Sequence, residues 1–293
     1  MGAPNTSSPP GSNPGPGGDA PVQPAVPAPV GFPNDYPAFP VAGSLPATSA
    51  LLYRGAPVTL RQAVAEGRPV IAARWGIPDI LITLALWFFF QIVASLIALG
   101  LGDSPVGKSV GILLLISIPW FGLAGWPILV AFWRGNGPVI DYGLTRRWSD
   151  LWWGILYGVA ALVVAGLVAA GTEAIFGKFD SAAGEIAGDV KQLWALVLFG
   201  ILVGIGAPIA EELAFRGLLF GSLAKRGLAP WLTIGITALT FSLIHFEPIR
   251  IPLLLSTGII LGLARFHRGS TTTSIVAHMT NNLPAAVVLI LGS

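Results

Sequence analysis

Residues 193–223 read LWALVLFGILVGIGAPIAEELAFRGLLFGSL, an apolar run that is interrupted by three charged side chains, Glu211, Glu212 and Arg216. A helix that spans a bilayer needs about 20 predominantly apolar residues, so this stretch is long enough to cross a membrane. An ionisable side chain at membrane depth costs roughly 2.5–3.5 kcal/mol on insertion scales. The three charges therefore indicate either a paired structural site or a functional site inside a membrane helix.

The composition of the whole chain agrees with a membrane protein. Hydrophobic residues make up 54% of the 293 residues and charged residues only 10%, whereas soluble domains carry about 25% charged residues. Such a chain cannot cover itself with a hydrated surface, so the lipid bilayer is the expected partner. The net charge of +2 is too small to indicate a nucleic-acid partner, and the absence of cysteine excludes disulfides and a cysteine nucleophile.

Seven long apolar runs predict an all-α fold, a polytopic transmembrane helical bundle. The predicted spans are 80–101, 110–133, 151–172, 193–210, 230–246, 251–266 and 273–291. The fourth span can continue to about Ala224 as one long or kinked helix. The count rises to eight if residues 211–224 form a separate helix.

The first 49 residues differ from the rest of the chain. They contain 13 of the 25 prolines and no Lys or Arg, a composition that cannot bury enough apolar surface to offset its ordering entropy. We therefore predict a disordered Pro/Gly-rich tail over 1–49, a juxtamembrane segment over 50–79 and a transmembrane domain over 80–291. The polar motifs described below lie within 193–291.

The basic residues predict the orientation of these spans. With the N-terminus in the cytoplasm, twelve Lys and Arg residues fall in inside segments and four in outside loops, as the positive-inside rule requires. The four outside residues are Lys108, Lys178, Lys191 and Arg250. We therefore expect an integral membrane protein, of a bacterial plasma membrane, with a cytoplasmic N-terminal tail.

Two further polar pairs lie in the later spans. Phe241 and His245 are separated by four residues, and so are His278 and Asn282. Residues at this spacing share one face of a helix. Each pair alone could serve as a hydrogen-bonded contact between helices, but both follow the charged cluster on separate predicted helices.

The three polar groups together supply what peptide hydrolysis needs. Glu212 and Arg216 can pair at i, i+4. Glu211 points about 100° away around the helix, so it is outside this pair and is the carboxylate available for catalysis. A buried carboxylate can act as general base toward water, and imidazole or amide N–H groups can stabilise an oxyanion. Alternatively Glu211, His245 and His278 could hold Zn²⁺, whose bound water would be the nucleophile.

The ordered motifs resemble a known family. Glu211-Glu212-x-x-x-Arg216, Phe241-x-x-x-His245 and His278-x-x-x-Asn282 are similar to the three motifs of the CPBP family, which includes type II CAAX-prenyl endopeptidases and abortive infection proteins. The resemblance covers about residues 193–291. It implies an intramembrane endopeptidase acting on membrane-associated proteins or peptides, in which Glu211 activates water and Glu212 and Arg216 support the site.

The same resemblance implies roles for the remaining motif residues and leaves the cofactor open. His245, His278 and Asn282 would position water or stabilise the oxyanion, and Phe241 would pack the site. Members of the family have been described as metalloproteases and, alternatively, as glutamate proteases that need no metal. Two His, one Glu and one Asn lack a strong fourth metal ligand, which favours the glutamate mechanism over Zn²⁺.

Two other functions remain open at this stage. A non-proteolytic membrane scaffold or bacteriocin self-immunity protein could retain the fold and use the polar residues to hold its helices together. A small transporter or channel is a further alternative, although no repeated halves with matching broken helices are visible. The sequence does not identify the substrate, a prenylated group on it, or the oligomeric state.

Overall fold

The computed structural model describes Gly2 and residues 50–291. The disordered tail predicted for 1–49 therefore lies, apart from Gly2, outside the described residues. Between residues 50 and 291 the regular structure is helical. The helices are α1 Val58–Ala65, α2 Ile77–Gly100, α3 Pro105–Arg134, α4 Pro138–Tyr142, α5 Trp148–Phe176, α6 Ala182–Gly188, α7 Leu193–Lys225, α8 Pro230–Leu243, α9 Pro248–Arg268 and α10 Thr271–Leu291.

The predicted all-α membrane bundle is confirmed. Among the described residues, six helices are long and apolar enough to cross a bilayer: α2, α3, α5, α7, α9 and α10. The predicted fifth span is present as α8, but this helix has only 14 residues, fewer than the roughly 20 that a full crossing needs. Residues 211–224 are not a separate helix, because α7 runs without a break to Lys225.

Helix α7 is the central element of the bundle. Its second half is almost fully buried, and Phe215, Leu218 and Leu219 belong to the largest cluster of core side chains. Side chains of α2, α3 and α8 pack around this cluster, which includes Trp75, Val130 and Phe241. The charged residues of α7 are consequently surrounded by protein, where their desolvation must be offset by partners inside the bundle.

Glycines allow the helices that surround α7 to approach closely. In α5, a Cβ on Gly154 would lie 2.5 Å from Val276, and one on Gly158 would lie 2.5 Å from the carbonyl oxygen of Ala277, both in α10. Small residues at such positions let helix backbones meet and gain van der Waals contact in the absence of a hydrophobic driving force. The glycines of α5 thereby allow α10 to pack directly against this helix.

A matched pair of glycines in α3 tests this packing. A Cβ on Gly122 would lie 2.4 Å from the backbone nitrogen of Trp87, whereas one on Gly125 would have no heavy atom within 4 Å. We expect Gly122→Ala to lower the free energy of unfolding by about 1–3 kcal/mol, because two backbones must separate to admit the methyl group. Thermal unfolding of the purified protein in detergent measures this loss.

The control for that experiment is Gly125→Ala in the same helix. Replacing a helical glycine at an uncrowded position removes flexibility without a clash, so its effect should be neutral or slightly stabilising. Equal unfolding temperatures for the two variants would show that the approach of α2 and α3 at Gly122 does not limit stability.

Candidate active site

Two π-helical stretches in α7 flank the acidic residues. Residues Leu202–Gly206 and Leu213–Leu219 are π-helical, and the segment Ala207–Glu212 between them carries both glutamates. Pro208 lies in this segment and has no backbone N–H to donate, which weakens regular α-helical bonding there. Such π-helical insertions occur frequently at functional sites because they re-aim side chains within a continuous helix.

Glu212 is fully buried and is the acceptor for two other site residues. Its Oε1 accepts from Arg216 Nη1 at 2.7 Å and lies 3.0 Å from His278 Nδ1. The side chains of Glu212 and Arg216 are 0% exposed and that of His278 is 4% exposed. The i, i+4 ion pair predicted from the sequence is therefore present, and the separate contact of Glu212 with His278 joins α10 to α7.

Arg216 is secured by α9 and α8 as well as by Glu212. Its Nη2 donates to the carbonyl oxygen of Gly258 at 2.8 Å, and its guanidinium lies 4.8 Å from the centre of the Phe241 ring. A Cβ on Gly258 would be only 3.0 Å from the Cα of Ala238, so glycine allows α8 and α9 to meet at this point. A guanidinium held in this way orients the Glu212 carboxylate.

The contact with Glu212 assigns the hydrogen on the His278 ring. An ionised carboxylate can only accept, so Nδ1 of His278 carries the hydrogen that it donates to Glu212. In the neutral ring, Nε2 is then a free acceptor. That nitrogen lies 3.8 Å from Oε2 of Glu211, whose side chain is 17% exposed. The imidazole is thus held between a fully buried carboxylate and a more accessible one.

His245 is fixed at the end of α8 by a similar bond. Its Nδ1 lies 2.7 Å from the carbonyl oxygen of Phe241, and because a carbonyl only accepts, Nδ1 again carries the hydrogen. The ring of Phe241 contacts both imidazoles edge-on, with centroid distances of 4.8 Å to His245 and 5.6 Å to His278. Phe241 therefore lies between the two histidines, and Phe215 of α7 packs on it at 5.6 Å.

Asn282 lies one helical turn beyond His278 on α10. Its Nδ2 donates to the carbonyl oxygen of Val203 at 3.3 Å, in the first π-helical stretch of α7, and its Oδ1 accepts from Asn281 Nδ2 at 3.1 Å. An amide nitrogen has two hydrogens, so one N–H of Asn282 remains for a further acceptor. The structure places Asn282 against the π-helical stretch of α7 that precedes the glutamates, in a separate set of hydrogen bonds.

The possible metal ligands do not converge on one point in the described part of the chain. Among residues 50–291, no three side chains of His, Asp or Glu come together closely enough to hold one ion. Glu211 and His278 are neighbours, whereas Nδ1 of His245 is turned to the Phe241 carbonyl. The residues do not form the compact ligand group that Zn²⁺ requires.

Six of the seven sequence-predicted site residues form a connected cluster: Glu211, Glu212, Arg216, Phe241, His245 and His278. Sequence reasoning missed Gly258, whose carbonyl oxygen binds Arg216, and Arg265, whose Nε donates to the Arg216 carbonyl at 3.1 Å. The spacing of Gly258 and Gly262 indicates close helix packing but not a contact with the site. The side chain of Arg265 is fully buried in α9.

Comparison with known families identifies this region. Residues 193–284 match the family model described as type II CAAX prenyl endopeptidase Rce1-like. No curated protein and no solved structure gives a significant match to the chain. The resemblance based on the three motifs is confirmed, since the matched region contains all seven site residues. The protein is an integral membrane protein in which residues 193–284 match a family of endopeptidases.

Proposed function

We propose that this protein is an intramembrane endopeptidase that hydrolyses peptide bonds of membrane-associated proteins or peptides, with Glu211 activating the attacking water. The observation that supports the proposal most strongly is the His278 imidazole held between two carboxylates that have different surroundings. Nδ1 of His278 lies 3.0 Å from Glu212, and Nε2 lies 3.8 Å from Glu211. The Rce1-like match supports the same class of reaction.

The different surroundings of the two glutamates divide their roles. Glu212 is 0% exposed and its Oε1 is bonded to both Arg216 and His278, so this carboxylate is engaged in contacts that hold the helices together. Glu211 is not in that ion pair and its side chain reaches an accessible space. A general base must be within hydrogen-bond reach of a water molecule, a condition that only the more accessible carboxylate fulfils. Glu212 is accordingly a positioning residue.

The reaction then follows from these positions. A water molecule beside Glu211 and His278 gives one proton to the Glu211 carboxylate as its oxygen bonds to the carbonyl carbon of the substrate. The second hydrogen of that water is accepted by Nε2 of His278, which orients the oxygen. When the C–N bond breaks, protonated Glu211 returns the proton to the leaving amine, so that the carboxylate is regenerated.

The oxyanion needs a hydrogen-bond donor. The positions of the hydrogens on the His245 and His278 rings decide which side chain can provide it. In their neutral forms both imidazoles use Nδ1–H for Glu212 and for the Phe241 carbonyl, so neither has a second N–H to donate. The amide of Asn282 keeps one N–H beyond its bond to Val203. We therefore assign oxyanion stabilisation to Asn282, and water positioning to His278 and His245. One such donor is commonly worth a factor of about 10²–10³ in rate.

A non-proteolytic scaffold or immunity protein is the alternative. The buried bonds of Glu212, Arg216 and His278 join α7, α9 and α10 and could serve stability alone. That function gives no reason for a second carboxylate at Glu211 facing the free nitrogen of His278. The two functions therefore differ in what they predict for a change at Glu211.

Comparison of membrane proteomes tests the proposal. Cells that carry the native protein, Glu211→Gln or His278→Gln would be compared for peptides with new N-termini. We expect a set of such peptides with the native protein that is absent in both variants, because each variant removes one group that acts on water. The peptides would also identify the substrate and the cleaved bond.

The matched control is Glu173→Gln, the same change at an exposed glutamate near the end of α5. It should leave the peptides unchanged. If Glu211→Gln accumulated normally in the membrane and the peptides were the same as in cells with the native protein, proteolysis by this site would be refuted and the scaffold function favoured.

A further inference from the structure

Residues 244–247 form a non-helical segment next to the site. Helix α8 ends at Leu243, and the chain becomes helical again at Pro248. The ring of Phe246 is stacked on that of Trp87, with centroids 6.4 Å apart and planes inclined by 1°, and it meets Phe88 edge-on at 6.0 Å. Both partners lie near the middle of the 24-residue helix α2. The segment is therefore at membrane depth.

Irregular backbone at this depth needs a physical reason. In hydrocarbon an unsatisfied N–H or C=O group costs several kcal/mol, so non-helical segments occur there only when they are covered by protein or line an aqueous space. The Phe246 side chain is 67% exposed, and that of Phe88 is 50% exposed. The outer surface of the segment is thus formed by aromatic rings rather than by a covering helix. Part of its backbone is satisfied locally, because the Phe246 N–H donates to the Leu243 carbonyl and the Glu247 carbonyl accepts from the Arg250 N–H. The segment is joined to the site through His245, whose ring contacts that of Phe241.

The backbone of Phe246 is in an uncommon conformation. Its φ of 54° makes it the one non-glycine residue with positive φ in the described part of the chain. A bulky residue in the left-handed region is energetically unfavourable and persists only when its surroundings enforce it. Here the conformation turns the ring onto α2. The contact between Phe246 and Trp87 therefore holds the segment against α2.

The segment is anchored on its other side by Glu247. Oε2 of Glu247 accepts from the backbone N–H of Ala182 at 3.0 Å, at the start of α6, and from Arg250 Nη1 at 2.7 Å. His245, which belongs to the site, is the residue immediately before Phe246. The segment is thus held to α6 by Glu247 and to α2 by Phe246. Its site residue, His245, lies in the connection between α8 and α9.

We propose that the gap between α2 and residues 244–247 is a lateral entrance by which a membrane-embedded peptide segment reaches Glu211, and that the Phe246 ring closes it. This inference rests on the proposed peptidase function. Apolar stacking is a suitable closure, since a hydrophobic substrate segment can replace the Trp87 and Phe88 contacts with contacts of its own. The entrance selects substrates that arrive through the bilayer.

Thiol chemistry tests the entrance without requiring proteolysis. The chain has no cysteine, so Glu211→Cys introduces a single thiol into the full-length protein. In bilayer nanodiscs this thiol would be treated with a long-chain N-alkyl maleimide, which partitions into lipid, or with a trimethylammonium methanethiosulfonate, which reacts from water. We expect Phe246→Gly to accelerate the reaction with the alkyl maleimide about tenfold, through loss of two aromatic contacts. The water-borne reagent should be affected much less.

Three variants make the result specific. Phe246→Gly removes the ring while accepting the positive φ, and Phe246→Tyr keeps the ring and should preserve the slow rate. Phe89→Ala removes a 55% exposed ring of α2 that contacts Phe90, and it should also preserve the slow rate. If Phe246→Gly does not fold, Phe246→Leu removes the planar ring with less loss of volume and should show the same acceleration.

An unchanged maleimide rate in Phe246→Gly, or an equal acceleration with both reagents, would overturn the proposed entrance. Neither outcome bears on whether Glu211 hydrolyses peptide bonds, because the reporter replaces that carboxylate. Conversely, absence of Glu211-dependent N-termini in the membrane proteome would reject the peptidase function even if the thiol became accessible. The two failures are therefore distinguishable.

Discussion

Replacement of Glu211 by Gln is expected to lower the rate of peptide hydrolysis by about 10²–10⁴-fold, the usual contribution of a general base. The amide has the same shape and can occupy the same position beside Nε2 of His278, but it cannot accept a proton from water. The native distance between Glu211 Oε2 and His278 Nε2 is 3.8 Å, so the substitution introduces no crowding. The loss should appear in kcat, with a small effect on KM.

The measurement is the initial rate of cleavage, by purified protein in nanodiscs, of a peptide that contains the bond identified in the proteome. Glu211→Asp provides an intermediate case, since it keeps the carboxylate but withdraws it by one methylene from the water. We expect its rate to lie between those of the native protein and Glu211→Gln. Glu173→Gln is the matched control. A rate for Glu211→Gln within twofold of the native rate would show that another group activates the water.

Replacement of Arg216 by Leu should destabilise the fold by about 3–5 kcal/mol, the cost of leaving a buried charge without its partner. The guanidinium is fully buried, donates to Glu212 and to the Gly258 carbonyl, and lies against Phe241. Without it, the Glu212 carboxylate keeps only the His278 contact. The difference in the free energy of unfolding would be measured by thermal unfolding in detergent, monitored by tryptophan fluorescence.

A double-mutant cycle isolates the ion pair from the loss of side-chain volume. Glu212→Leu leaves Arg216 uncompensated and should be about as harmful as Arg216→Leu. The double variant removes both charges, so its loss should be clearly smaller than the sum of the single losses. Arg146→Leu, at an exposed position, is the control and should change stability by no more than about 0.5 kcal/mol. Additive losses in the cycle would mean that the pair itself contributes little.

The membrane character of the protein and its site residues could be predicted from local sequence. Runs of about 20 apolar residues can be accommodated only as membrane helices, which is why six predicted spans recur as long helices. The pairing of Glu212 with Arg216 follows from the i, i+4 spacing within one helix. The family resemblance rested on the same short motifs, and it is confirmed over residues 193–284.

The length of α8 and the disposition of its last residues could not be predicted in the same way. Hydropathy continues through Ile244 and Phe246, so the sequence predicted a span over 230–246, whereas the helix ends at Leu243. Its end is determined by contacts with residues remote in sequence, namely Phe246 with Trp87 and Glu247 with Ala182. An apolar composition is equally compatible with a helix and with a loop whose aromatic side chain packs against α2.

The sequence by itself determined which side chains are present at membrane depth and which of them share a helix face, because both depend on hydropathy and on the 3.6-residue repeat. Only the tertiary structure decided their partners. His278 faces both glutamates, Arg216 reaches a carbonyl of α9, and Asn282 donates to Val203. These contacts depend on the crossing of α7, α9 and α10, and the crossing depends on glycines whose consequences appear only when two backbones are brought together.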